Sequence, residues 1–131
     1  MFYSFDYTVT SNDIVGAEYK LDMVLTAGII HQVDVLFQKD CAHKINVQIY
    51  HGSTQLWPSN RGKSLKGDAT VISFREFYEL TPGLNELYAY LWTTDTDVLY
   101  ETIIQIGILP KKIIQPLSFD DLLEVLTAPE G

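Results

Sequence analysis

Alternation of apolar and polar side chains across residues 29–60 is the feature that most constrains the fold of this chain. A period of two is typical of a half-buried β-strand, because successive side chains point to opposite faces of a sheet. In the first predicted strand, one face is expected to turn to the core, and it consists of Ile29, His31, Val33, Val35 and Phe37. In the second predicted strand, the core-facing side consists of Ile45, Val47 and Ile49. The stretch ends near Pro58, which lacks an amide hydrogen and cannot donate to a neighbouring strand.

The same alternation recurs along the chain as far as Pro110. It predicts roughly eight strands, with turn residues between them about every dozen positions. These strands cover residues 2–9, 19–26, 29–37, 45–50, 55–57, 69–74, 84–92 and 98–108. Residues 75–80 fit either an extended edge or a short helical turn. This pattern is typical of an antiparallel sandwich or barrel. Of the two, we expect residues 1–110 to form one antiparallel β-sandwich, with a jelly roll as the expected topology and no substantial helix before residue 115.

Residues 111–131 differ in character and are predicted to form a C-terminal arm. Pro110 and Pro116 have no amide donor, so the arm cannot continue the ladder of the last strand. Ser118 is a suitable N-cap for a short helix, which needs a surface to pack against. That surface belongs either to the same sandwich or to a neighbouring subunit, and disorder is the third interpretation. The candidate contact residues of the arm are Ile113, Ile114, Leu122, Leu123, Val125 and Leu126.

The overall charge narrows the classes of partner. A formal net charge of -8 argues against a nucleic-acid-binding protein, which needs a basic face, and against docking on anionic membranes. No secretory signal and no apolar run of about 18 residues is visible. Cys41 is the only cysteine, so no intramolecular disulfide can form. We therefore expect synthesis in a cytoplasm, with neither nucleic acid nor membrane as a partner.

The candidate metal sites in the sequence have too few ligands. Cys41 and His43 form the only close Cys–His pair, whereas a zinc site needs about four ligands at recognisable spacing. Asp95 and Asp97 resemble a fragment of a calcium loop, but the further oxygen ligands and the closing glutamate are missing. The sequence therefore predicts no metal ion and no cofactor.

Catalytic motifs fail in a similar way. The Gly62–Lys63–Ser64 tripeptide matches the end of a phosphate-binding loop, but Trp57 stands where the first glycine is required. A nucleophile elbow of the G-x-S-x-G type is also absent from the sequence. We therefore expect a protein without enzymatic activity and without catalytic residues.

Two interpretations are open for the tryptophans and for Tyr88 and Tyr90. Aromatic side chains at strand period generally pack in a core or at a subunit interface. Alternatively, exposed rings form a platform on which a carbohydrate can stack. In that alternative, Trp57 and Trp92 are the candidate ligand platform.

Four segments carry a resemblance to a known group of proteins: GIIH (28–31), VQI (47–49), QLWPSN (55–60) and IQIGILP (104–110). Together they resemble small jelly-roll or β-sandwich proteins encoded among the structural genes of tailed bacteriophages. The resemblance covers roughly residues 20–110 and carries no active-site residues.

The resemblance implies a virion structural subunit that decorates or cements a capsid, or that serves as an accessory of the head-to-tail region or baseplate. It implies a symmetric homo-oligomer, with other virion proteins such as a major capsid protein as further partners. The resemblance also implies that the protein is located in the virion after synthesis in the host cytoplasm. The alternative function is a carbohydrate-binding module in a host-recognition apparatus.

Truncation after Leu109 tests the predicted arm. If the arm docks on a neighbour, the shortened chain should keep its fold but lose its oligomeric state or its place in a particle. Burial of four apolar side chains, about 1.5–3 kcal/mol each, roughly offsets the cost of ordering the arm, so a receiving groove decides the outcome. Light scattering and thermal melts measure both properties, and unchanged assembly with a lower melting temperature would defeat the arm hypothesis.

Overall fold

The computed structural model of the chain describes residues 1–39, 41–94 and 99–110. Eight β-strands make up the fold: β1 (Phe2–Val9), β2 (Tyr19–Val24), β3 (Gly28–Phe37), β4 (Ile45–His51), β5 (Thr54–Trp57), β6 (Thr70–Leu80), β7 (Glu86–Thr93) and β8 (Tyr100–Leu109). Residues 75–80, for which the sequence left two interpretations, are extended and complete β6. Within the described ranges no helix is long and apolar enough to cross a membrane. The predicted C-terminal helix lies outside the described residues.

The strands form two four-stranded antiparallel sheets that pack face to face, so the predicted β-sandwich is confirmed. The first sheet has the order β1-β8-β3-β6 and the second has the order β2-β7-β4-β5. The pairing is nested, because β1 pairs with β8, β2 with β7, β3 with β6 and β4 with β5. The chain therefore crosses from one sheet to the other at every connection except the turn between β4 and β5.

One continuous core fills the space between the sheets. Every strand contributes to it through alternate positions, as in β7, where Leu87, Ala89 and Leu91 are buried. The two central strands of the first sheet supply Val33, Val35, Ile104 and Ile106, all without measurable exposure. Burial of each such side chain contributes about 1.5–3 kcal/mol relative to leaving it in water, so the alternating pattern is the main source of stability.

Strand β3 departs from the predicted face at its beginning. Strict alternation predicted that Ile29 and His31 would share the core-facing side with Val33. Instead, the register of β3 against both β6 and β8 shifts between Ile30 and Gln32. This β-bulge brings Ile30 into the core cluster and leaves His31 only partly buried, so strict alternation was wrong at this end of β3, although Ile29 is itself buried, with 2% exposure. A single extra residue reverses the faces of all residues on one side of it, and a period of two cannot anticipate it.

On the outer face of the first sheet, Gly107 leaves room for two rings. A Cβ atom at this position would lie 2.6 Å from the Phe2 ring and 2.8 Å from His31 Nε2. The rings of Phe2 and His31 meet edge to face with their centroids 5.6 Å apart. A larger residue at position 107 would therefore have to displace these side chains, so the glycine serves their close approach rather than a turn.

Tyr7 joins the two sheets on the side of the sandwich where β1 and β2 lie. Its ring stacks on that of Tyr19 with centroids 3.7 Å apart. The Tyr7 hydroxyl donates a hydrogen bond of 2.7 Å to Asp13 Oδ2, which also accepts from the backbone amide of Thr10. Burial, the hydrogen bond to Asp13 and the negative charge of Asp13 raise the pKa of Tyr7 to about 12.

This raised pKa predicts how Tyr7 contributes to stability at high pH. The neutral phenol is favoured in the folded state, so its contribution is complete below pH 10 and is lost as pH rises through about 12. A spectrophotometric titration of the folded protein should show a tyrosine that ionises near pH 12, and Tyr7→Phe should remove it. Identical titration curves for the two proteins would contradict the assignment, with circular dichroism as the control for folding.

Candidate functional site

The site residues predicted from the sequence fall into three different environments. The six arm residues, Ile113, Ile114, Leu122, Leu123, Val125 and Leu126, lie outside the described residues. Trp57 is only 5% exposed and packs in the core, with ring centroids 5.7 Å from Phe74 and 6.2 Å from Tyr78. Its burial makes Trp57 a core residue and not a ligand platform, because a platform must offer a ring face to solvent. Trp92 is half-buried, on the opposite side of β7 from the core.

An aromatic face, defined here as Tyr50, Tyr88, Tyr90 and Trp92, covers the outside of the second sheet. Three of these residues alternate with the buried positions of β7, as the sequence predicted. Tyr50 comes from β4 and is directly opposite Tyr88 in the register of the two strands. The sequence placed Tyr50 on an outward face, but only the pairing of β4 with β7 reveals that it joins the other three.

The three tyrosines of the aromatic face pack against one another. The rings of Tyr50 and Tyr88 are nearly parallel, with centroids 5.3 Å apart. Tyr90 meets Tyr50 and Tyr88 edge to face, at 5.4 Å from each. Such offset and edge-to-face pairs are favourable arrangements of aromatic quadrupoles. The cluster is therefore held in place before any ligand or partner arrives.

Charged groups border the aromatic face on the side of β2. Lys20 Nζ lies 4.5 Å from the centroid of the Tyr88 ring, a cation–π distance. The same ammonium lies 3.9 Å from Asp22 Oδ1, although both side chains are more than half exposed. Burial, followed by the neighbouring Tyr90 and Tyr50, raises the pKa of Tyr88. The Tyr88 hydroxyl stays protonated and donates to the carbonyl of Gly52 at 2.6 Å.

Two glutamines border the aromatic face on the side of β5, where they fasten the loop between β5 and β6. Gln48 Nε2 donates to the carbonyl of Lys63 at 2.8 Å. Gln55 Nε2 donates to the carbonyls of Pro58 and Lys63, while its oxygen accepts from the amide of Gly62. Both amides therefore hold the loop in place beside the aromatic face.

Two polar groups of the aromatic face have no partner among the described residues. Within the part of the chain that the structure describes, neither the Tyr90 hydroxyl nor the Trp92 indole N–H has a hydrogen-bond partner. Tyrosine and tryptophan combine a large apolar surface with such a polar tip, which suits contact with an amphipathic partner. The arrangement can therefore stack a flat apolar surface and donate hydrogen bonds at its edge.

The remaining motifs have structural roles or lie outside the described residues. Cys41 is buried, its thiol donates to the carbonyl of Gly67, and burial raises its pKa, which disfavours the reactive thiolate. Ser64 donates to Asn46 Oδ1 at 2.7 Å, on an irregular loop instead of at the start of a helix. Asp95 and Asp97 lie outside the described residues. Among the residues described, no three His, Cys, Asp or Glu side chains are grouped so that they could hold a metal ion.

Comparison with known proteins adds no family assignment. No protein-family model matches the chain, and no curated protein matches it.

Proposed function

We propose that this protein is a virion structural subunit with a jelly-roll fold, which self-associates and decorates or cements a phage capsid or tail assembly. The observation that carries the proposal is the nested strand pairing, β1-β8-β3-β6 in one sheet and β2-β7-β4-β5 in the other. This order is what results when a long antiparallel hairpin wraps around a core, the topology of the jelly rolls that are common in viral capsids. The segments that resemble phage structural proteins fall on β3, β4, β5 and β8.

The surface supports the assembly part of the proposal. Large apolar side chains are exposed at several places on the sandwich, including Phe77 on β6 and Val24 on β2. A subunit that buries such side chains against neighbours gains stability that an isolated copy lacks. The partners would be other copies of the chain and a major capsid protein or another virion protein, and the location would be the virion.

Purified virions provide the test of this function. Particles from a culture of the host that carries the encoding genome should contain the chain at a fixed ratio to the major capsid protein. The ratio should persist through a density gradient and a nuclease treatment, because the binding is to protein and not to nucleic acid. Recovery of the chain only in the particle-free supernatant would contradict the proposal.

The aromatic face favours a second candidate function, a carbohydrate-binding module in a host-recognition apparatus. The relevant observation is that Tyr90 and Trp92 combine partly exposed rings with unpartnered donors among the described residues. In this candidate, the platform consists of the aromatic face, with Trp92 retained from the sequence prediction and Trp57 left out because it is buried.

A printed glycan array tests the second candidate. Saturable binding to one class of glycan is expected, with a loss of at least about tenfold in affinity for Tyr90→Ala and Trp92→Ala, because stacking on each ring is lost. Phe77→Ala is the matched control, since Phe77 is an exposed aromatic residue of the other sheet. Absence of binding across the array, or equal binding by all variants, would rule this candidate out.

A further inference from the structure

Each sheet of the sandwich ends in two edge strands, and these four strands differ in their ability to pair with another chain. Strand β5 has only four residues and is followed by Pro58. The pairing of β6 with β3 shifts register opposite His31, where two residues of β6 face one of β3. Short strands, prolines and bulges all hinder pairing between edges. These features make β5 and β6 poor templates for a second copy.

Strand β2 has none of these hindrances. Its register against β7 runs without interruption from Tyr19 to Val24. Within the described ranges, no strand pairs with its other edge. Strand β1 is also uninterrupted, but Asp6 is its only charged residue, so it offers no reciprocal ion pairs. Among the described residues, strand β2 therefore presents an open row of backbone donors and acceptors together with charges of both signs.

Exposed apolar side chains concentrate beside β2. Val15 is 71% exposed and Val24 is 58% exposed, and Ile14 and Tyr19 also rank among the exposed large hydrophobic residues. All four belong to β2 or to the turn that precedes it. Apolar exposure of this kind, next to an unpaired strand edge, is typical of a surface that another chain covers.

The charges of β2 are self-complementary. Consider two copies of β2 paired in antiparallel orientation around a two-fold axis that passes midway between the two Leu21 residues. In this register, the numbers of two directly facing residues add up to 42. Lys20 of each copy therefore faces Asp22 of the other copy. Opposite charges at directly facing positions stabilise an antiparallel pair, and the symmetry provides the contact twice.

We propose that β2 is a dimer interface whose occupant is the β2 strand of a second copy of this chain. The two second sheets join into one continuous eight-stranded sheet, with two Lys20–Asp22 ion pairs between the copies. In the same register Val24 of each copy lies at an end of the paired stretch, opposite the partner's Glu18, where the aliphatic part of that side chain covers it. The inference deepens the self-association part of the proposed function, and the predicted docking of the arm would be a separate contact.

Analytical ultracentrifugation of the full chain tests the interface. The wild-type protein should sediment as a dimer of the 14.9 kDa chain. Lys20→Glu places like charges opposite each other at both symmetric positions, and Asp22→Lys does the same with the opposite sign. Each variant should raise the dimer dissociation constant at least about tenfold. Circular dichroism and thermal melts should show that both variants keep the fold, since both side chains are exposed.

A mixture of the two variants gives the sharpest outcome. In a dimer of either variant alone, like charges face each other. In a heterodimer of the Lys20→Glu and Asp22→Lys variants, opposite charges face each other at both positions. The mixture should therefore form a heterodimer with affinity close to the wild-type value. Arg75→Glu is the matched control, because it reverses an exposed charge on β6, an edge strand of the other sheet, and should leave the dimer intact. A monomeric wild-type protein, or a dimer that Lys20→Glu leaves unchanged, would overturn the proposal.

Failure of the interface and failure of the proposed function give different results. A chain that is monomeric in solution but is recovered in virions overturns the interface and leaves the virion function standing. A dimer that responds to the charge variants but is missing from virions supports the interface and overturns the virion function.

Discussion

Burial of alternate side chains between two sheets is the constraint on which the rest of this structure depends. The core residues come from all eight strands, so neither sheet has a stable inner face without the other. Nested pairing satisfies this requirement while keeping each strand beside an antiparallel neighbour. Because only the inner faces of the two sheets must be apolar, the outer faces are free to differ.

Much of the fold follows from the sequence because a period of two reports burial directly. The outward positions of Tyr88, Tyr90 and Trp92 were predictable, since Leu87, Ala89 and Leu91 occupy the intervening positions. The face of β3 was predicted wrongly near His31, because a bulge inserts a residue that leaves no clear trace in the alternation. Alternation alone did not show the partners of each strand, because it reports which side of a strand is buried and not which strand lies beside it.

The candidate site could also be predicted from the sequence only where neighbouring residues along the chain decide the outcome. Trp57 ends a short apolar strand, and whether its ring is exposed depends on Phe74 and Tyr78, which lie far along the chain. Tyr50 joins the aromatic face only because the registers of β4 and β7 coincide at Tyr88. The sequence therefore indicated whether a single side chain points inward or outward. Which side chains form one surface could be seen only from the strand pairing in the structure.

The aromatic face and the β2 edge are neighbours, and Lys20 belongs to both. Its ammonium lies over the ring of Tyr88 and beside the carboxylate of Asp22. Pairing of two copies through β2 would therefore place two aromatic faces on the same side of a continuous sheet. A ligand or virion partner with repeated units could then contact both copies at once, which raises its overall affinity without any new contact.

Hydrogen–deuterium exchange of the β2 amides, measured over a series of protein concentrations, tests the self-association of this sandwich most directly. The account predicts that exchange between Tyr19 and Val24 slows as concentration rises, whereas exchange in the other edge strands, β1, β5 and β6, does not change. The amides of the central strands should be protected throughout, because both of their edges are paired. Exchange in β2 that is independent of concentration, and as fast as exchange in β6, would contradict the account.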